Sequence, residues 1–210
     1  MNYPVGLLKA TEKLEIYIPI PELVKPTYEL LIEKNPTTPF PFWAKIWASS
    51  KALTQYLNAN PNLIKGKCVV EMGAGIGIPS LSIVKLAKEL MISDHDSDAV
   101  ALLEKNIELL VLKNASAKCI DWNDMQEDIV ADVILLSDIN YAPDQFDSLI
   151  HLIENQILKG TLIIIATPQR IMGTSFINAI GPYIKESNVI TINEESTQTD
   201  IKLIVLSKKV

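Results

Sequence analysis

The chain is expected to fold as an α/β domain, a mostly parallel sheet with helices on both faces and an antiparallel hairpin closing it. Three observations carry this expectation. Short apolar runs of strand length recur at residues 68–72, 91–93, 117–120, 132–137 and 161–167. Amphipathic stretches of helical period separate most of them, and parallel neighbours need such crossovers. Two late runs, 189–192 and 201–207, are separated only by a polar turn at 193–200, which suits an antiparallel pair.

In chain order, residues 14–20 alternate as a strand does, and Pro19 and Pro21 place it at an edge. Residues 22–46 are punctuated by proline and read as irregular, with a short helix at 28–34. Residues 1–46 are therefore taken as an N-terminal extension packed on a main domain of residues 47–210. The helix 47–60 places Ala48, Ala52, Leu53, Tyr56 and Leu57 at helical spacing and stops at Pro61. A helix over 79–90 begins with Pro79 in its first turn. The helix 98–112 lines Val100, Leu103 and Ile107 along one face. The segment 121–131 sits at the lower limit for a crossover, so its helix is expected to be a single turn. Residues 146–158 form a helix capped by Asp144, and 175–184 form a weaker one.

Charge narrows the partners. The net charge is −6, and no Lys/Arg run exceeds pairs such as Lys208-Lys209. A nucleic-acid substrate is disfavoured, because phosphate neutralisation needs a basic face. A basic protein partner is compatible with an acidic enzyme. Cys68 and Cys119 lie in apolar runs and are expected as buried small hydrophobes. No CxxC or His-rich cluster suggests a metal. No secretory signal pattern opens the chain, and its apolar runs fall far short of the ~18 residues that span a bilayer. The expected compartment is the cytoplasm, away from membranes; the oligomeric state stays open.

The richest stretch is Glu71-Met72-Gly73-Ala74-Gly75-Ile76-Gly77, delivered by a strand and followed by a helix. Glycines there let the chain turn tightly and bring backbone against a ligand. Glu71 would repel a pyrophosphate but suits a cofactor bearing an ammonium and a sulfonium. Asp94 ends the next strand about 20 residues on, where a carboxylate accepts hydrogen bonds from ribose hydroxyls. Asp96 and Asp98 compete to cap the following helix. Asp121-Trp122 follows the third strand, where an aromatic face can stack on adenine. These features point to S-adenosylmethionine, with a nicotinamide-dinucleotide enzyme as the weaker reading.

Three motifs in this order resemble the seven-strand, Rossmann-like S-adenosylmethionine-dependent methyltransferases, and within them the family-16 protein-lysine methyltransferases. They are Pro41-Phe42-Trp43-Ala44-Lys45-Ile46-Trp47, the Glu71–Gly77 loop, and Ser137-Asp138-Ile139-Asn140-Tyr141 with its Asp-x-x-Tyr pattern. The likeness runs from about residue 39 to 168. It implies that Trp47, Gly73, Ala74, Gly75, Asp94, Trp122 and Ser137 line the cofactor, and that Asp138 and Tyr141 meet the acceptor amine of a lysine on a protein substrate. Adenine- and glutamine-directed relatives carry Asn/Asp-Pro-Pro-Tyr at the last motif; this chain lacks the double proline.

A lysine ammonium, with a pKa of ~10.4, must lose a proton before it attacks. A dry site beside a sulfonium lowers that pKa. Asp138 is expected to hydrogen-bond and orient the amine, and Tyr141 to bound its channel. His95 is expected at a pocket wall or in solvent, His151 at the surface, and Gln169-Arg170 near the acceptor. Trp43 either guards the entrance or anchors the extension. The alternatives are a small-molecule N- or O-methyltransferase and a cofactor-binding module without catalysis. An open acceptor groove would favour a protein substrate, and a site sealed by residues 1–46 a small molecule.

Overall fold

The structure, a computed structural model, describes residues 1–124, 129–194 and 197–208. It opens with an antiparallel hairpin of β1 (Val5–Thr11) and β2 (Leu14–Pro19), then α1 (Pro21–Lys34) and α2 (Ala48–Ala59). The alternating core follows: β3 (Cys68–Met72), α3 (Ile78–Ile83), β4 (Glu89–Asp94), α4 (Ser97–Leu109), β5 (Ala115–Cys119) and β6 (Val133–Ser137). It ends with α5 (Phe146–Leu158), β7 (Leu162–Pro168), α6 (Thr174–Ile180), β8 (Ile184–Glu194) and β9 (Thr197–Leu206). Seven strands form one sheet in the order β5-β4-β3-β6-β7-β9-β8. The first five in that order are parallel, and β9 runs antiparallel to both β7 and β8. This is the architecture expected from the sequence.

Side-chain alternation along the central strands divides the core into two layers. Val69, Leu135 and Ile164 point to one face, where they meet α2, α4 and the hairpin's Leu14, Ile16 and Ile18. Val70, Ile134 and Ile163 point to the other, against Leu149, Ile153 and Ile157 of α5 and Phe176 of α6. Burial on both faces explains why these strands read as continuous apolar runs. The hairpin is tied down by buried Asn106 of α4. Its Oδ1 accepts from the Tyr17 amide at 2.7 Å and its Nδ2 donates to the Tyr17 carbonyl at 2.9 Å.

Several boundaries differ from expectation. β1 was not foreseen. The stretch read as mostly irregular contains a full helix, α1, which starts with Pro21 at its first position and tolerates Pro26 inside. The helix expected over 79–90 stops at Ile83. The chain then turns, its Gly66 and Lys88 amides bond across to Leu86 and Lys67, and Glu89 and Leu90 pair with Cys68 and Val69 in the sheet. The helix expected over 175–184 ends at Ile180, and Ile184 already belongs to β8. Asp144 does not cap α5; it lies in a short turn, and Gln145 occupies the cap position without a side-chain bond. Cys119 is exposed on edge strand β5 and Cys68 is half-buried, so neither is a core residue. Asp96, not Asp98, caps α4, accepting from the Asp98 and Ala99 amides. Part of the expected turn-helix at 121–131 and part of the turn at 193–200 lie outside the described residues. Among the described residues, no helix is long and apolar enough to cross a membrane.

Candidate active site

From β3 the chain moves to β4 on one side, and from β6 to β7 on the other. Ligands of open α/β sheets bind at such a switch point, beyond the carboxyl ends of the strands. A cleft of about 390 Å³ lies there. Its walls are the loop after β3, the ends of β4 and β6, Trp122, Arg170 and part of the 39–50 segment.

One end is built around the glycine loop. Gly73 and Gly75 have φ of 63° and 54°. A Cβ at Gly75 would come within 3.0 Å of the Trp43 carbonyl oxygen, so the 39–47 segment lies directly on the loop. The Gly75 amide donates to Asp94 Oδ2 at 2.8 Å, and the Asp96 amide to Asp94 Oδ1 at 3.0 Å. Asp94 is buried, and that burial raises its carboxyl above the ordinary range. Trp122 packs against Gly73, and its buried indole N–H has no partner among the described residues. The Trp47 indole donates to the Phe42 carbonyl at 3.0 Å, with the Lys45 ammonium 4.5 Å above its ring.

At the other end Asp138 holds a left-handed backbone with φ of 57°, a conformation Asp adopts more readily than most residues. Its amide donates to the Ala166 carbonyl at 2.9 Å, and its carboxylate forms an ion pair with Arg170. Tyr141 faces Phe42 with ring centroids 6.0 Å apart, and Phe42 contacts Phe40 at 5.0 Å. Phe40, Phe42 and Tyr141 are 47%, 51% and 39% exposed, so this end opens to solvent. Burial raises the Tyr141 phenol, and the charges of Asp94, Asp138 and Asp144 push it the same way.

A family model described as lysine methyltransferase matches residues 28–181, most of the chain. The protein belongs to this lysine methyltransferase family. The chain is 30% identical over 132 residues to the electron transfer flavoprotein beta subunit lysine methyltransferase of Mus musculus, covering 62% of this chain and 51% of that protein. It is 25% identical to the Mus musculus histone-arginine methyltransferase METTL23, over 50% of this chain and 44% of that one. The chain thus spans about half the length of these relatives. In fold it matches magnesium protoporphyrin IX methyltransferase from Synechocystis PCC 6803, solved with bound SAH, at a TM-score of 0.56 and 16% identity, over 76% of this chain and 82% of that one.

In this family member the cleft gathers nine of the residues singled out from the sequence: Trp47, Gly73, Ala74, Gly75, Asp94, Trp122, Ser137, Asp138 and Tyr141. It does not gather Glu71 or Asp121. Glu71 is fully buried beneath the loop, where its Oε2 accepts the Ser80 amide at 3.1 Å. Gly77 occupies the cap position of α3 and has no side chain to offer, so Glu71 supplies the acceptor. Desolvation pushes the Glu71 carboxyl up to about 7, against the lowering effect of the Ser80 bonds. Asp121 is exposed and folds its own turn, accepting from the Asn123 amide and side chain at 2.9 Å.

His95 lines the cleft, His151 is exposed, and Trp43 is buried edge-on against Tyr3 at 5.4 Å as an anchor. Sequence reasoning missed Phe42 as the entrance residue, the Arg170–Asp138 pair, and Asn140. The Thr167 hydroxyl donates to Asn140 Oδ1 at 2.5 Å, joining the loops after β6 and β7. Asp94, Asp96 and Asp138 line the cleft, while its cations Lys45 and Arg170 are engaged by Trp47 and Asp138. This donor set suits a cationic, base-bearing ligand and disfavours a pyrophosphate.

Proposed function

We propose that this chain transfers a methyl group from S-adenosylmethionine to the side-chain amine of a lysine on another protein. The cleft's two-ended build carries this reading: a glycine-and-carboxylate cradle at one end, and a carboxylate with a solvent-open aromatic mouth at the other. Trp47, Gly73, Ala74, Gly75, Asp94, Trp122 and Ser137 would hold the cofactor. The Trp122 N–H, unpaired among the described residues, and the aromatic ring suit its base, and the buried Asp94 suits its hydroxyls. When bound, it supplies a methyl group already activated on a sulfonium.

The chain's own residues then align and dehydrate the acceptor. Asp138 accepts an N–H of the amine and fixes its direction. Phe42 and Tyr141 flank the side-chain stem and exclude water, which favours the uncharged amine. The proton leaves to solvent through the open mouth. That mouth, framed by exposed rings, favours a protein over a sealed small molecule. The mouse relatives named for lysine and histone-arginine methylation act on proteins, which supports the same choice. Glu71 and Asp121 would serve the site indirectly, by holding the loops on which its lining residues stand. The free Cys68 and exposed Cys119 suit a reducing compartment, and we place the activity in the cytoplasm.

Incubating the purified chain with isotope-labelled S-adenosylmethionine and a cell lysate should label a protein band on lysine. Label confined to small molecules or RNA would count against the reading. Calorimetry with S-adenosylmethionine and S-adenosylhomocysteine checks the cofactor assignment independently.

A further inference from the structure

We propose that Arg170 is a specificity-determining residue of the acceptor slot: by holding Asp138 it makes the slot select the uncharged amine over the ammonium ion. The inference rests on the methyl-transfer reading above. A lone carboxylate at a half-desolvated site would bind an ammonium tightly and raise its pKa, opposing the proton loss that attack requires. The ion pair between Arg170 and Asp138 removes that bias. Asp138 keeps lone pairs for an N–H of the amine, while the guanidinium balances its charge.

The pair is fixed in place, which argues against a swinging gate. The Asp138 amide is bonded to Ala166, and the Thr167 hydroxyl to Asn140. The Arg170 amide donates to Pro168 at 2.9 Å, and the Gly173 amide to the Arg170 carbonyl at 3.1 Å. A Cβ on Gly173 would lie 2.7 Å from Asn140 Nδ2, so the Arg170 loop is packed directly against the Asp138 loop. The Arg170 side chain is only 30% exposed. Among the described residues, the other titratable groups on the cleft are Lys45, Asp94, His95, Asp96 and Tyr141, and Asp144 also acts on Tyr141. All are common to the native protein and to variants at 170, so comparing the two isolates the guanidinium.

The test titrates n-butylamine, a mimic of the lysine stem, into the native protein, Arg170→Lys and Arg170→Met. Binding is read by saturation-transfer NMR from about pH 7.5 to 9.5, with and without S-adenosylhomocysteine. If only the uncharged amine binds, apparent affinity rises about tenfold per pH unit in this range, below the amine pKa. The native protein and Arg170→Lys should show that rise. Arg170→Met should bind the ammonium, with affinity flat over the range and higher than native at pH 7.5. A flat native profile, a native-like slope in Arg170→Met, or no amine binding to the native protein at pH 9.5 would overturn the proposal. Heats of S-adenosylhomocysteine binding on the same samples separate the two claims. Their absence tells against the methyl-transfer reading, whereas intact heats with a flat native amine profile tell against Arg170 alone.

Discussion

At the scale of single residues, two buried carboxyls, Glu71 and Asp94, hold the glycine loop from different sides. Glu71 supports the loop from below and keeps its proton to about pH 7, against 4.5 for an ordinary glutamate. A group that holds its proton longer in the fold than in the unfolded chain stabilises the fold most at low pH. Stability should therefore fall as pH rises from about 4.5 to about 7. Glu71→Gln keeps an acceptor for the Ser80 amide and removes the buried charge. We expect it to flatten that slope, matching the native protein near pH 4 and exceeding it at pH 8 by at most on the order of 3 kcal/mol. Urea melts across this range measure it; an unchanged slope would show that Glu71 ionises freely. Asp94 acts on the other side of the loop, where its carboxylate accepts the Gly75 and Asp96 amides. Asp94→Ala should weaken S-adenosylmethionine binding by about tenfold or more, since the buried acceptor that holds the Gly75 and Asp96 amides is lost together with the proposed contact to the ribose hydroxyls. Asp138→Ala should lower turnover by at least about tenfold with cofactor affinity within about threefold, because the proposed role of Asp138, with its partner Arg170, lies in the acceptor slot rather than the cofactor cradle. Equal losses of turnover and cofactor binding in Asp138→Ala would contradict the division of roles.

At the scale of elements, the N-terminal hairpin packs Leu14, Ile16 and Ile18 into the core, and Asn106 of α4 adds a polar tie to it. Asn106 accepts from and donates to the Tyr17 backbone, satisfying two groups that the hairpin leaves unpaired. Asn106→Ala should destabilise the protein by about 1–3 kcal/mol. Thermal and denaturant melts check this, and amide exchange should locate the loosening in β2. The sequence made β3 and α5 legible to the residue and α4 to within a few, because their apolar periodicities face large buried layers. It hid β1, whose exposed Leu7 and hairpin-only pairing leave little patterning. It lengthened α3, because helical propensity beyond Ile83 loses to the sheet, which claims Glu89 and Leu90. It shortened β8, because the polar residues of an exposed edge strand carry no core signal.

At the scale of the whole molecule, the switch point explains which parts of the site could be read in advance. Nearly every residue singled out stands just beyond the carboxyl end of a parallel strand, so local motifs mark it. What escaped notice joins distant segments: the Arg170–Asp138 pair, the Asn140–Thr167 bond and the Phe42–Tyr141 mouth. Their partners meet only after the sheet has formed, and no periodicity records that meeting. Net charge also acts at this scale. With a net charge of −6, the protein repels polyanions and attracts basic surfaces. If the acceptor is a lysine on a basic protein surface, steering should raise its encounter rate and be screened by salt. Raising ionic strength from about 0.05 to about 0.3 M shortens the screening length from about 14 Å to about 6 Å, enough to weaken surface attraction but not contacts inside the cleft. We therefore expect kcat/KM for the protein acceptor to fall severalfold over this range while the KM for S-adenosylmethionine stays nearly constant. Steady-state assays on the lysate-identified acceptor measure both. A salt-insensitive kcat/KM would mean that the apolar mouth of Phe40, Phe42 and Tyr141, rather than the field of the whole protein, selects the partner.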